Sequence, residues 1–261
     1  MSQNTPITVL LIHGAWHGPW CWKYQVPELQ KLGYDVETIH LPTAQGVAGK
    51  TQLDDSNVVR SVLERLLSAN KRVVVLAHSY AGSIGLAAMI GLSEQEQTSK
   101  ELPGGVVGFI GLCAFIFPGG FDKAAATRAK TGPGLLIWDS PSEGLFVLID
   151  PRGTLFPPDV SQAQIDWAIP QLMPQSSLSH GVVPSQAWEN DAEHYADKLG
   201  YIICTDDRVI PLNSQKRMIE GAGGANKWIT RELQGSSHSP FLSRPREVAS
   251  AVHEIIQQFG S

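Results

Sequence analysis

Three residue types that together perform nucleophilic acyl transfer stand in this 261-residue chain where apolar runs stop. Ser79 follows the run in VVVLAHSYAG, Asp206 and Asp207 follow the run in GYIICTDDRVIP, and His238 comes 31 residues after Asp207 in QGSSHSP. A serine hydroxyl is a weak nucleophile until a base takes its proton, and a histidine base needs an acid to fix its tautomer. Read singly, Ser79 would cap a helix over 80–91, the two aspartates would close a solvated turn, and His238 would bond locally in a loop. Jointly, their spacing and strand-end placement point to Ser79 as nucleophile, His238 as base and Asp207 as its orienter. Asp207 is the better placed acid because it lies farther beyond the strand end, with Asp206 bracing the loop.

Acyl transfer also needs donors for a developing oxyanion, and backbone N–H groups supply them without reorganisation. His13-Gly14-Ala15 follows the first apolar run, so the N–H groups of Ala15 and Tyr80 are the expected donors, with Gly14 letting the chain pass close to the site. The sharp turn at Ser79 departs from Gly-x-Ser-x-Gly: Ala77 and Ala81 occupy the outer positions and Gly82 follows. A methyl is the smallest side chain such a close strand–helix approach could accept. His13 and His17 have metal-like spacing but no acidic partner in their loop, and are read as turn-bracing hydrogen-bonders. No zinc-like Cys or His spacing occurs elsewhere, and neither metal nor cofactor is expected.

The elements that must position these residues are legible as runs of Val, Ile and Leu, typical of strands buried on both faces. They fall at Ile7–Ile12, Arg72–Ala77, Val106–Phe115 and Tyr201–Cys204, with weaker strands at Asp35–His40 and Trp228–Glu232. Helical spacing covers Leu53–Leu67, Ser83–Leu92 and a final stretch in which Val248, Val252, Ile255, Ile256 and Phe259 share a face, with Ser243 and Pro245 as start signals. The alternation implies an α/β fold, a mostly parallel sheet with helices on both faces. Residues 116–196 break the rhythm, holding nine of the 17 prolines and Trp138, Trp167 and Trp188. Prolines at this density forbid long strands. Residues 1–115 and 197–261 are therefore expected to form the core, with 116–196 inserted as a lid over the strand C-termini, where open α/β sheets bind ligands. Gly221–Gly224 lacks a phosphate-loop lysine and reads as a helix C-cap.

Composition narrows the partners. At 43% hydrophobic and 17% charged residues, with a formal net charge of −5 and no basic block, the chain suits a large core and neither nucleic acid nor an anionic membrane. MSQNTPITVLLIHG offers no basic leader and too short an apolar stretch for a secretory core, no run reaches membrane-spanning length, and Cys21, Cys113 and Cys204 are odd in number and scattered. A cytoplasmic protein with a small-molecule substrate is expected; a homodimer stays open.

HGAWHGPWCW at His13–Trp22 resembles the opening signature of the plant methylesterase and hydroxynitrile-lyase branch of the α/β-hydrolases, and CTDDRVIP at Cys204–Pro211 and IPQLMPQS at Ile169–Ser176 are similar to it. The chain order Ser, Asp, His is also that of α/β-hydrolases. The resemblance implies the α/β-hydrolase fold, the triad Ser79, His238 and Asp207, and oxyanion donors Ala15 and Tyr80. It further implies substrate contacts at Gly14, Trp16, Phe115, Trp138 and Ser239. Lyases of this branch carry threonine where Gly14 stands and lysine where Ser239 stands, so cyanide chemistry is disfavoured. The esterases usually carry methionine at the position of Ser239. An epoxide hydrolase or dehalogenase would need aspartate at position 79.

These readings converge on a serine hydrolase cleaving an ester or lactone of a small, largely apolar or aromatic substrate, in an apolar, aromatic-friendly pocket given Phe115, Trp138, Phe146, Phe156 and Trp167 in or near the lid. Its activity should fall as pH drops through the histidine range, because the base must be neutral. The rivals are a non-hydrolytic use of the same triad, such as C–C cleavage, elimination or cyclisation in secondary metabolism, and a ligand receptor on a hydrolase scaffold.

Overall fold

The computed structural model describes residues 6–117, 138–181 and 192–259. Six parallel strands form the main sheet: β1 (Ile7–Ile12), β2 (Asp35–Thr38), β3 (Arg72–His78), β4 (Gly105–Leu112), β8 (Leu199–Cys204) and β9 (Trp228–Leu233), in the order β2-β1-β3-β4-β8-β9. Every residue of β4 and β8 is buried, as the unbroken apolar runs require of strands covered on both faces. From β1 the chain moves to one side through β2 and then crosses to the other through β3. The loops leaving β1 and β3 therefore diverge from adjacent strands, with Ile12 paired to Ala77, and open a crevice at the sheet's C-terminal edge.

Helices α1 (Gln25–Lys31), α2 (Gln52–Ser68), α3 (Ala81–Ala88), α4 (Glu94–Ser99), α7 (Leu212–Gly221), α8 (Pro240–Ser243) and α9 (Pro245–Ile256) accompany the sheet. A reciprocal capping box between Thr51 and Asp54 starts α2, and Val59, Leu63, Leu66 and Leu67 form its buried stripe. On α9 the buried stripe is Val248, Val252, Ile255 and Ile256. Its start differs from expectation. Ser243 makes no cap; it closes α8 and donates its hydroxyl to Asp159 at 2.8 Å.

Three expected ends also move inward, the first in β2, which stops at Thr38 where His40 was expected. Strand β4 stops at Leu112 because Cys113 takes φ 35° and Phe115 N–H turns to the carbonyl of Ser79 at 2.9 Å. Helix α3 stops at Ala88, followed within three residues by the left-handed Gly91 (φ 76°). Gly223 (φ 109°) and Gly224 (φ 66°) follow α7.

Between β4 and β8 the described chain forms a separate three-stranded antiparallel sheet of β5 (Trp138–Asp139), β6 (Leu145–Leu148) and β7 (Gln175–Ser176), with α5 (Pro151–Thr154) and α6 (Gln162–Ala168). It is fastened to the core by Met173 N–H to the Trp16 carbonyl at 2.9 Å, Gly46 N–H to the Pro174 carbonyl at 3.1 Å, and the Ser176 hydroxyl to the Lys50 carbonyl at 2.6 Å. Trp188 and the side chain of Trp138 lie outside the described residues. Among the described residues no helix is long and apolar enough to cross a membrane, and Cys21, Cys113 and Cys204 are buried free thiols.

Candidate active site

Ser79 leaves β3 with φ 53°, a left-handed conformation that a non-glycine residue holds only where its surroundings enforce it. The enforcement is visible on both sides: Ser79 N–H donates to the Leu112 carbonyl at 3.2 Å, and its carbonyl accepts from Gly82 at 3.2 Å and Phe115 at 2.9 Å. The glycine this turn demands is Gly82. A Cβ there would collide with the Phe115 carbonyl and lie 3.0 Å from the Ala114 methyl. Ala77 and Ala81, both fully buried, are accommodated at the two positions usually given to glycine.

The structure brings Ser79, His238 and Asp207 into one line. Ser79 Oγ lies 2.8 Å from His238 Nε2, and His238 Nδ1 lies 2.7 Å from Asp207 Oδ2. The other carboxylate oxygen of Asp207 accepts from the N–H groups of Val209 (2.7 Å) and Ile210 (2.8 Å), so the acid is aimed before the imidazole arrives. This settles which aspartate faces the histidine: Asp206 turns instead to the Thr205 hydroxyl at 2.9 Å. His78 Nε2–H donates to the His238 carbonyl at 2.9 Å, and the Cys113 thiol also points at it, 3.7 Å away. The residue before the nucleophile therefore grips the backbone of the base.

Gly14 passes directly over the elbow: a Cβ there would sit 2.7 Å from His78 Nδ1 and 2.9 Å from Ser79 Cβ. His13 Nδ1–H donates to the Gly14 carbonyl at 2.8 Å, and its Nε2 accepts from Leu41 N–H at 3.1 Å, which fixes the neutral tautomer. His17 Nδ1–H holds the Ala15 carbonyl at 2.7 Å. Because C=O and N–H oppose each other in a trans peptide, holding the Gly14 carbonyl also fixes the direction of the Ala15 N–H. Burial pushes the pKa of His13 down to about 3 and of His17 to about 4, and drives His78 well below the usual range. All three are neutral braces at physiological pH.

His78, Cys113 and His238 also offer ligand atoms within 4.8 Å of one another. Both nitrogens of His238 are committed to Ser79 and Asp207, His78 Nε2 is committed to a carbonyl, and burial raises the Cys113 thiol well above its ordinary pKa. That set holds protons in hydrogen bonds and is poorly suited to a cation.

Among the remaining expected contacts, Trp16 (φ 61°) lines a cavity of about 110 Å³ with Val147, Leu148, Pro151, Leu155, Ile169, Leu172 and Met173. Phe146 backs Trp16 edge-on at 5.6 Å. Phe156 is fully buried and Trp167 packs on Trp20 and Lys23, so the wall beside Trp16 is aliphatic where an aromatic one was expected. Phe115 is half-buried, stacks on Phe117, and gives its carbonyl to the Ser83 hydroxyl. Ser239 is fully buried beside His238, its N–H donating to Ser237 Oγ at 3.2 Å.

Sequence reasoning passed over Asp159. Its carboxylate accepts from Arg244 Nε (2.7 Å), the Ser243 hydroxyl (2.8 Å) and Ser237 N–H (3.1 Å), tying the segment between β4 and β8 to both flanks of His238. A solitary aspartate in a proline-rich stretch carries no signal of this.

A parallel sheet with a left-handed serine after a central strand, and with acid and histidine on later strand ends, is the architecture of the α/β hydrolases. The family model for the alpha/beta hydrolase family matches residues 9–251, and the chain belongs to that family. Norfluorocurarine synthase 2 of a Strychnos species is 25% identical over 269 residues, covering 95% of each chain. Methylesterase 7 of Arabidopsis thaliana is 24% identical over 283 residues, covering 99% of this chain and 100% of the relative. The crystal structure of polyneuridine aldehyde esterase has a TM-score of 0.71 at 20% sequence identity, covering 96% of this chain and 99% of that one.

Proposed function

We propose that this chain is a serine carboxylic ester hydrolase for small, largely apolar esters or lactones. The observation that carries the reading is the hydrogen-bonded line from Ser79 Oγ through His238 to Asp207. Ser79 attacks the carbonyl as His238 takes its proton at Nε2, and Asp207 stabilises the imidazolium. The oxyanion is received by the N–H groups of Ala15 and Tyr80. Collapse breaks the ester C–O bond, His238 returns its proton to the leaving alcohol, and a water deprotonated by His238 then releases the acid. The described part of the segment between β4 and β8 serves as the lid, and the aliphatic cavity beside Trp16 takes a short apolar group of the substrate. Esterase names among the relatives support this reading, and three buried free cysteines suit a cytoplasmic location.

The test is intact-protein mass after exposure to a fluorophosphonate, with Ser79→Ala alongside, followed by a panel of methyl, aryl and lactone esters. One adduct absent from the variant, with turnover of at least one ester, is expected. No adduct on the native chain would overturn the proposal. Because the relative from Strychnos is named a synthase, turnover is also run in oxygen-labelled water: hydrolysis places label in the acid, whereas a lyase or cyclase does not.

A further inference from the structure

A buried polar chain outside the triad joins the segment between β4 and β8 to Trp16, the residue after one expected oxyanion donor, and to the side chain of Tyr80, which carries the other. Trp16 N–H donates to Gln175 Oε1 at 3.0 Å, and Gln175 Nε2 donates to Thr43 Oγ1 at 2.7 Å. The Thr43 hydroxyl donates to Asp55 Oδ2 at 2.6 Å, and Thr43 N–H donates to Asp55 Oδ1 at 3.0 Å. The Tyr80 hydroxyl donates to the same Oδ2 at 2.7 Å. Gln175, Thr43 and Asp55 are fully buried, and Tyr80 is nearly so. Burial pushes the Asp55 carboxyl up, opposed by these donors. A carboxylate so placed needs every one of its hydrogen bonds, which makes the arrangement rigid.

The two ends of this chain are Trp16 and Tyr80, the residue after one donor and the residue carrying the other. Trp16 is a bulky residue at φ 61°, and the segment between β4 and β8 grips both its backbone groups, the N–H through Gln175 and the carbonyl through Met173 N–H. Its N–H belongs to the peptide whose carbonyl, that of Ala15, is held by His17. His13 sets the direction of the Ala15 N–H through the preceding peptide, so release of Gln175 would leave the donor loop anchored at that end alone and loosen the Ala15 N–H about the oxyanion position.

We propose that Gln175, through Thr43 and Asp55, is a positioning residue that makes the oxyanion site complete only when strand β7 is seated on the core. The inference rests on the hydrolase reading above. Gln175 touches no reacting atom; it sets the geometry of groups that do, so its loss weakens transition-state stabilisation more than ground-state binding.

The experiment compares native protein with Gln175→Ala, Tyr80→Phe and Ser79→Ala, using p-nitrophenyl butyrate as reporter and an aryl trifluoromethyl ketone as oxyanion probe. Gln175→Ala is expected to lower kcat about 10- to 100-fold with KM within about two-fold, and to weaken the ketone in parallel, a partial loss of one donor's worth. Tyr80→Phe keeps the ring, removes only the hydroxyl, and is expected to shift kcat and ketone affinity in the same direction by about 10-fold. It carries the test if Gln175→Ala does not fold. A fall in Tm with kcat and ketone affinity within two-fold of native would overturn the inference, because a merely structural tie predicts that result. Undiminished turnover in Ser79→Ala would overturn the hydrolase reading and this inference together. Loss in Ser79→Ala with native kinetics in both other variants overturns this inference alone.

Discussion

The buried histidines make the fold acid-sensitive by an amount that can be worked out. His13, His17 and His78 are all held neutral, chiefly because burial strips solvent from the charged form. Among the described residues the charged-form neighbours are further imidazoles: His13 faces His40 and His17, while His17 and His78 face His238. In the unfolded chain each titrates near 6.5, whereas in the fold His13 waits until about 3 and His17 until about 4. Below pH 6.5 the unfolded state binds more protons, so stability rises with pH there and is lost as pH falls. The window runs from 6.5 down to about 4 for His17 and to about 3 for His13. At pH 5 the gap is ~1.5 pH units at about 1.4 kcal/mol each, so His13 and His17 each remove about 2 kcal/mol relative to pH 8. His78 acts in the same direction. Against a total of roughly 5–15 kcal/mol, that is a large share of the stability.

The assay is urea unfolding at pH 8 and pH 5, followed by tryptophan fluorescence and far-ultraviolet circular dichroism. The free energy of unfolding is expected to drop by about 4 kcal/mol. His17→Gln, whose amide can still donate to the Ala15 carbonyl, is expected to be less stable at pH 8 yet lose about 2 kcal/mol less on moving to pH 5. Equal stability at the two pH values, or an unchanged pH dependence in His17→Gln, would refute the reasoning. The unfolding also defines where kinetic pH profiles can be read: loss of activity that coincides with loss of fold says nothing about the base.

Three substitutions probe the site itself. In Asp207→Asn the remaining oxygen can keep the Val209 and Ile210 N–H bonds, but the amide faces His238 Nδ1 and forces the wrong tautomer; kcat is expected to fall by about 10⁴-fold with little change in Tm. Gly14→Ala places a methyl 2.7 Å from His78 Nδ1 and 2.9 Å from Ser79 Cβ, so displacement of the nucleophile should cost about 10²-fold in kcat/KM, measured on the same reporter ester. In Gly82→Ala the methyl meets the Phe115 carbonyl, which itself accepts from the Ser83 hydroxyl. A loss of about 1–3 kcal/mol by urea unfolding is expected, and native stability there would show that Gly82 is not the close-approach position.

What the sequence disclosed and what it withheld divide along a physical line. Strands buried on both faces must be continuous apolar runs, so β1, β3, β4 and β8 were visible without partners, and the residues just after them stood out as polar groups at strand ends. The elbow was legible for the same reason, although its glycine requirement falls on Gly82, because the close approach is set by the Phe115 carbonyl and not by the residue's place in a motif. The ends of β4 and α3 were misjudged where a left-handed residue, Cys113 or Gly91, overrides side-chain preference. Withheld were the roles of Asp55, Asp159 and Gln175. Their partners are 25 residues away for Asp55 and Tyr80, 78 for Asp159 and Ser237, and 159 for Gln175 and Trp16. Asp55 even sits beside Asp54, whose capping role explains an acid there completely. Periodicity reports how one element meets the core; it holds no record of a polar residue whose partner arrives from another segment. The chemistry-bearing residues were therefore readable from the chain, whereas the residues that hold them in register became visible only through the contacts of the folded state.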